Sequence, residues 1–240
     1  DTQKENDLIL HIVDQLPDNP AATVRGLINK NRRIAISKNH TAAHLMHAAF
    51  HNIIGKHALQ KGQDVDELKL RFDFSHFQKV SADEILAIEK LVNEKIQANI
   101  ALDEKRNVPM AEAKESGAMM LFGEKYGESV RIITFDENYS VELCGGTHVS
   151  ATGELGLFKI VSESAIAAGI RRIEAVCGFE ALKYIQQELK ELEDIRQIFK
   201  GNPSPAKAIH QLQEEVKSQK KLLEKFQQLQ LVHLREQLIL

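Results

Sequence analysis

Two pairs of side chains constrain this sequence more than anything else in it. His40 and His44 stand as His-x-x-x-His, and Cys144 and His148 as Cys-x-x-x-His. Imidazole and thiolate are the donors that Zn²⁺ prefers, and four of them complete a tetrahedron. A fold that serves one ion has to bring these distant segments together. Either pair alone is a weak signal in a chain with ten histidines. Their joint occurrence, one on a helix and one on a Gly-Gly turn, points to a metal site formed by His40, His44, Cys144 and His148.

The spacing explains each pair. Residues i and i+4 share one face of a helix. The stretch 41–54 reads as that helix: Leu45, Ala48, Ala49 and Ile53 recur at helical spacing, and Asn39 is the expected N-cap. Ser140–Cys144 reads as a short strand. Gly145 and Gly146 then permit a sharp turn through positive φ, returning His148 toward Cys144. His47 and His51 continue the helix; His47 reads as a second layer or surface group rather than a spare ligand. Cys177 lies in an apolar run and reads as a small buried side chain.

The rest of the pattern is mixed. Leu8–Val13 and Ala22–Ile28 are expected strands around a Pro17-Asp18-Asn19-Pro20 turn, with 32–37 leading toward the helix. Leu70, Phe72 and Phe74 alternate with Arg71 and Asp73, a half-buried strand. Ser81 and Glu84 form a capping box opening a helix to about Ile100, with an apolar stripe of Ile85, Ile88, Val92 and Ile96. A short helix follows Pro109, and 130–135, 155–162 and 170–177 read as further strands. This order implies an α+β fold with a largely antiparallel sheet and packed helices. From Phe179 glycine nearly vanishes. Two helices are expected, broken at Gly201-Asn202-Pro203, with Ile209, Leu212, Val216, Leu223 and Phe226 as an imperfect heptad stripe. An antiparallel hairpin or linker and a self-associating coiled coil both fit that stripe.

Composition excludes some classes. A net charge of -3 gives no global basic field for nucleic acid. Two cysteines do not make a disulfide scaffold and suit a reducing cytoplasm. No run of about 18 apolar residues suggests a membrane span, and the polar first residues argue against a secretory signal.

The blocks 39–49, 71–76, 117–126, 142–149 and 168–175 are colinear with, and closely resemble, the editing domain of alanyl-tRNA synthetase. Threonyl-tRNA synthetase and free-standing editing proteins share the two metal pairs. The Gly117-Ala118-Met119 and Gly169-Ile170-Arg171-Arg172-Ile173-Glu174-Ala175 blocks favour the alanyl branch. Ala43 departs from the threonine common in the family, without touching the ligand set. The resemblance implies three parts: 1–36, the tail of a preceding β-barrel module; 37–178, a zinc-containing editing domain; and 179–240, a helical linker or coiled-coil segment. The abrupt start and apolar last helix read as a fragment of a longer synthetase.

By the same resemblance the chain hydrolyses seryl or glycyl esters at the mischarged 3′ end of tRNA(Ala). Binding alone discriminates such small side chains poorly, so a second hydrolytic sieve is needed. ATP and Mg²⁺ serve only the full-length enzyme, whose aminoacylation motifs are absent here. The resemblance places an editing-relevant glutamine at Gln60. Cys144, His76 and Thr41 are the other candidate catalytic groups, and the Gly145 and Gly146 amides are candidate oxyanion donors. Arg171 and Arg172, with Arg32, Arg33 and Lys38, are candidate phosphate contacts. Two rivals remain: a zinc-stabilised tRNA-binding module without chemistry, and a free-standing editing protein.

Overall fold

A computed structural model describes residues 2–6, 8–19, 21–120, 127–199 and 204–239. The expected helix break at Gly201-Asn202-Pro203, and the 121–126 part of one resemblance block, lie outside the described residues.

The chain opens with an antiparallel hairpin, β1 (Thr2–Glu5) and β2 (Leu8–His11). Ala22–Ile28 forms no strand, contrary to expectation. Its Val24, Leu27 and Ile28 are exposed, because no edge among the described residues pairs with it. Helix α1 spans Lys30–Ile53. Its N-cap is Asn29, whose side chain accepts from the Arg32 amide, so Asn39 is not the cap. The first two turns carry too little apolar periodicity to be read as helix. Asn39 is instead buried mid-helix. It donates to the Asp66 carbonyl and accepts from the Cys177 thiol. That explains Cys177, a small buried side chain as expected.

Strands β3 (Gln60–Val65) and β4 (Leu70–Ser75) follow, then helix α2 (Ala82–Gln97), opened by the expected Ser81–Glu84 capping box. Next come β5 (Asp103–Pro109), α3 (Met110–Glu115), β6 (Ser129–Phe135) and β7 (Ser140–Leu143). A 3₁₀ turn at Thr152–Leu155 occupies the expected start of the next strand, which begins later as β8 (Phe158–Ala167). Strand β9 is Ile170–Cys177. The fold is α+β, with every named strand pair antiparallel. One sheet has the order β3-β4-β9-β8 and another β5-β6-β7. Both β3 and β5 escaped the sequence reading because they are polar edge strands, with one neighbour each and no alternating apolar face.

From Thr41 to Phe50 helix α1 is buried on all sides, packed against α2, β3, β4, β7 and β9. Ala42, Ala43, Ala48 and Ala49 permit that close approach. Phe50 packs tilted against Phe74 at 4.5 Å and meets Phe72 edge-on at 5.7 Å. Ile88, Val92, Phe135, Phe158 and Ile173 complete this core. A satellite cluster of Val108, Ala113, Ala118, Ile132 and Leu143 lies under β5-β6-β7. Helices α4 (Phe179–Ile198) and α5 (Pro205–Ile239) end the chain. In α5 only Ala208 is buried among the described side chains; Leu212, Leu223 and Phe226 are exposed. The heptad stripe is therefore not closed into a hairpin seam.

Candidate metal centre

The four expected ligands meet. His40 and His44 project from successive turns of α1, and Cys144 follows the last residue of β7. One donor atom from each of His40, His44, Cys144 and His148 lies within 4.8 Å of all the others. His44 Nε2 is 3.4 Å from His40 Nε2, and Cys144 Sγ is 3.6 Å from His40 Nε2 and 3.4 Å from His148 Nε2.

Remote nitrogens are anchored behind two of these rings. His44 Nδ1 lies 2.7 Å from Glu142 Oε2, a pair almost wholly buried. His148 Nδ1 lies 3.1 Å from the Thr41 hydroxyl, which also accepts from the Val149 amide. A histidine held at Nδ1 offers Nε2 in a fixed direction, the usual support behind a metal ligand. Glu142 went unnoticed in the sequence. Strand alternation was the available signal: residues 142 and 144 share a face, so the carboxylate before the cysteine also looks toward α1.

The electrostatics suit a cation. Burial alone would push the Cys144 thiol up, but hydrogen bonds with His148, His40 and His44 hold it at about 3, a thiolate at neutral pH. Burial lowers His148 to about 4 despite its bond to Cys144. Burial also opposes charge on His44, yet the Glu142 carboxylate overcomes it and lifts His44 to about 10. His47 is buried, not at the surface, and stays outside the ligand set. It packs against Phe72 and His51, and burial holds it at about 4. The donor chemistry and the anchored rings fit a metal ion, and these four residues could hold one.

The Gly-Gly turn has a different cause from the one expected. Neither Gly145 nor Gly146 has positive φ. A Cβ on Gly146 would lie 2.1 Å from His40 Cε1, so glycine is required by close approach to the ligand ring. The Gly146 amide donates to Cys144 Sγ at 3.4 Å, so it is committed to the thiolate. Arg131 on β6 holds the turn from behind. Its Nη1 donates to the carbonyls of Cys144 (3.1 Å) and Gly146, and its Nε to Glu104 at 2.7 Å. Arg131 was not singled out in the sequence, where it is one basic residue in an apolar strand.

Two clefts open on the turn. One, of about 1040 Å³, is lined by Arg33, His40, Gln60, Lys61, Cys144 and the turn itself. The other, of about 600 Å³, is lined by Glu104, Arg106, Arg131, the turn and His148. Gln60 and Cys144 thus share the larger cleft. Thr41 is fully buried, with its hydroxyl engaged by His148 and Val149. His76 lines neither cleft; its Nδ1 is 3.0 Å from His57 Nε2. Of the basic candidates, Arg33 reaches the larger cleft. Arg32 pairs with Glu67, Arg171 with Glu163, and Arg172 with Asp73 through two bonds of 2.7 and 2.8 Å. Glu174, next to them on β9, pairs instead with Lys69 at 2.6 Å. Lys38 is half-buried on α1.

Residues 130–174, which carry Cys144, His148 and Arg131, match the model of the threonyl and alanyl tRNA synthetase second additional domain. Over 226 residues the chain is 50% identical to an alanine–tRNA ligase of Cytophaga hutchinsonii, covering 94% of this chain and 26% of that protein. It is 48% identical over 215 residues to the one from Christiangramia forsetii, covering 90% of the chain and 24% of the relative. The alanine–tRNA ligase of Parabacteroides distasonis is 46% identical over 241 residues, 100% of this chain and 27% of its own. The chain matches a segment of alanine–tRNA ligases. It spans about a quarter of the length of the curated relatives it matches. The matched segment includes residues similar to the second additional domain. No helix among the described residues is long and apolar enough to cross a membrane.

Proposed function

We propose that this segment hydrolyses mischarged tRNA(Ala), removing serine or glycine from the 3′ end. The observation that carries the reading is the convergence of His40, His44, Cys144 and His148 beside an open cleft that also holds Gln60 and Arg33. The likeness to alanine–tRNA ligases supports this substrate class: a synthetase pocket for alanine cannot exclude glycine by size, nor serine by much. The whole protein, on this reading, ligates alanine to tRNA(Ala) with ATP and Mg²⁺ through regions outside this chain.

The ion is zinc on this reading, held by the His40–His44 and Cys144–His148 pairs; when bound it would supply positive charge to the cleft wall. Four protein donors are the mark of a closed site, so its main duty is to organise the pocket. The chain's own groups do the rest. Glu142 and Thr41 keep His44 and His148 in register. Gln60 faces the same cleft as Cys144 and orients the ester or the attacking water through its amide. Arg33 and Lys61 meet the terminal phosphates as the tRNA end enters. The test is deacylation of seryl-tRNA(Ala), with alanyl-tRNA(Ala) as control, by the chain and by Cys144→Ala. Selective hydrolysis lost in the variant supports the esterase. Retention of mischarged tRNA without turnover makes the chain a binding module.

A further inference from the structure

The Cys144–His148 turn is a wall with a cleft on each side, and its peptide planes are set by one residue. Arg131 lines the smaller cleft but not the larger, whereas Gly145, Gly146 and Thr147 line both. From the smaller cleft the Arg131 guanidinium draws in the carbonyls of Cys144 and Gly146. No peptide bond in the turn is cis. In a trans peptide the N–H points opposite to the C=O of the same plane. The N–H groups that share planes with those carbonyls belong to Gly145 and Thr147. Both therefore point away from Arg131, toward the side where the larger cleft holds His40, Gln60 and Cys144.

Neither of these two N–H groups donates to an acceptor among the described residues, and both residues are exposed. The amide between them, that of Gly146, is spent on Cys144 Sγ. We propose that the Gly145 and Thr147 amides form an oxyanion-binding pair facing the larger cleft, with Arg131 as the residue that positions them. This rests on the esterase reading and assigns that site its electrophilic half. Water oxygen adds to the ester carbonyl carbon, and the C=O π pair moves onto the carbonyl oxygen, where the two N–H groups receive it. Collapse re-forms C=O and expels the ribose oxygen, which takes the proton the water gave up. Free amino acid and tRNA result. The guanidinium adds to the effect: a cation bonded to both carbonyls polarises the same two peptides and makes their N–H groups stronger donors. Glu104 keeps Arg131 aimed, since its carboxylate takes the Nε while Nη1 serves the turn.

The test replaces the Thr147 amide by an ester, using the α-hydroxy analogue of threonine at 147, so that one N–H is lost and the side chain kept. Single-turnover hydrolysis of seryl-tRNA(Ala) should slow by about 100- to 1000-fold with bound zinc unchanged. Two adenosine analogues provide a readout apart from turnover: a 3′-serine phosphonate, tetrahedral and anionic, and the neutral 3′-seryl amide. The intact chain should prefer the phosphonate, and the modified chain should lose that preference while binding the amide equally. Arg131→Gln should shift the same ratio, with Arg131→Lys restoring part of it. If Arg131→Gln loses metal or fold, the backbone-ester chain decides alone. An active wild-type chain whose rate and phosphonate preference survive the Thr147 ester overturns the amide pair and leaves the esterase standing. A wild-type chain inert on the ester defeats the esterase reading; absence of phosphonate preference in that chain overturns the amide pair too.

Discussion

Helices α1 and α5 make an instructive pair. The longer one, α5, is rich in leucine and carries a heptad-like stripe, yet only Ala208 is buried among its described side chains. Helix α1 opens with polar turns and bears four histidines, yet from Thr41 to Phe50 it has no exposed face. A helix's own pattern says which side could be buried; its neighbours decide whether it is. Around α1 those neighbours are α2 and both sheets, which squeeze out water and, through Glu142, turn His44 into an anchored ligand. Around α5 nothing among the described residues plays that part, so its stripe stays available to a partner.

Matched truncations would break or sharpen this contrast. Leu45→Ala should cost about 2–5 kcal/mol in urea or thermal unfolding, because Leu45 is fully buried and a cavity would remain. Next in size is Glu142→Gln, which removes the charged anchor behind His44. Zinc affinity, read by competition with a chromophoric chelator, should fall about 10- to 100-fold with secondary structure unchanged. An unchanged affinity would mean that burial alone orients His44.

The third prediction concerns protons. Without metal, His44 is held at about 10 by Glu142, while Cys144 at about 3 and His148 at about 4 carry no proton at neutral pH. Metal must displace the proton on His44 Nε2, so affinity rises with pH. Between roughly pH 7.5 and 9 the gain should be about tenfold per unit, with about one proton released per ion. Calorimetry in buffers of different ionisation enthalpy measures it. Two protons released would place the thiol, not the thiolate, in the free site. The smallest effect expected is Leu223→Ala on α5, within about 0.5 kcal/mol of wild type. A loss as large as that at Leu45 would show the α5 stripe covered in solution, and dependence on protein concentration would identify a second copy as the cover.

Local signals with a chemical cause were legible in the sequence. The Ser81–Glu84 capping box, the Leu70/Phe72/Phe74 alternation and the strand 170–177 all stand where their residue patterns put them. The start of α1 did not, because its cap at Asn29 precedes two exposed turns without a stripe. Polar edge strands β3 and β5 carry no half-buried face and left no pattern to find. In the site, the ligands were legible by spacing, whereas Glu142 and Arg131 were not. Each acts on a group of another element, Glu142 on His44 of α1 and Arg131 on the Gly146 carbonyl in the turn after the neighbouring strand.

The sequence by itself determined the donor set, since only His and Cys at those spacings give two convergent pairs, and it determined the helical and strand character of the segments that bear them. It also determined the glycine at 146, though for a reason visible only in three dimensions. Tertiary structure alone decided which rings are anchored, which arginines are already paired with carboxylates, and which way the turn's amides face. Those are relations between residues on different elements, and they depend on burial and direction. A side chain's chemistry is written in its type, but its partner is set by the packing that brings another element within hydrogen-bond reach.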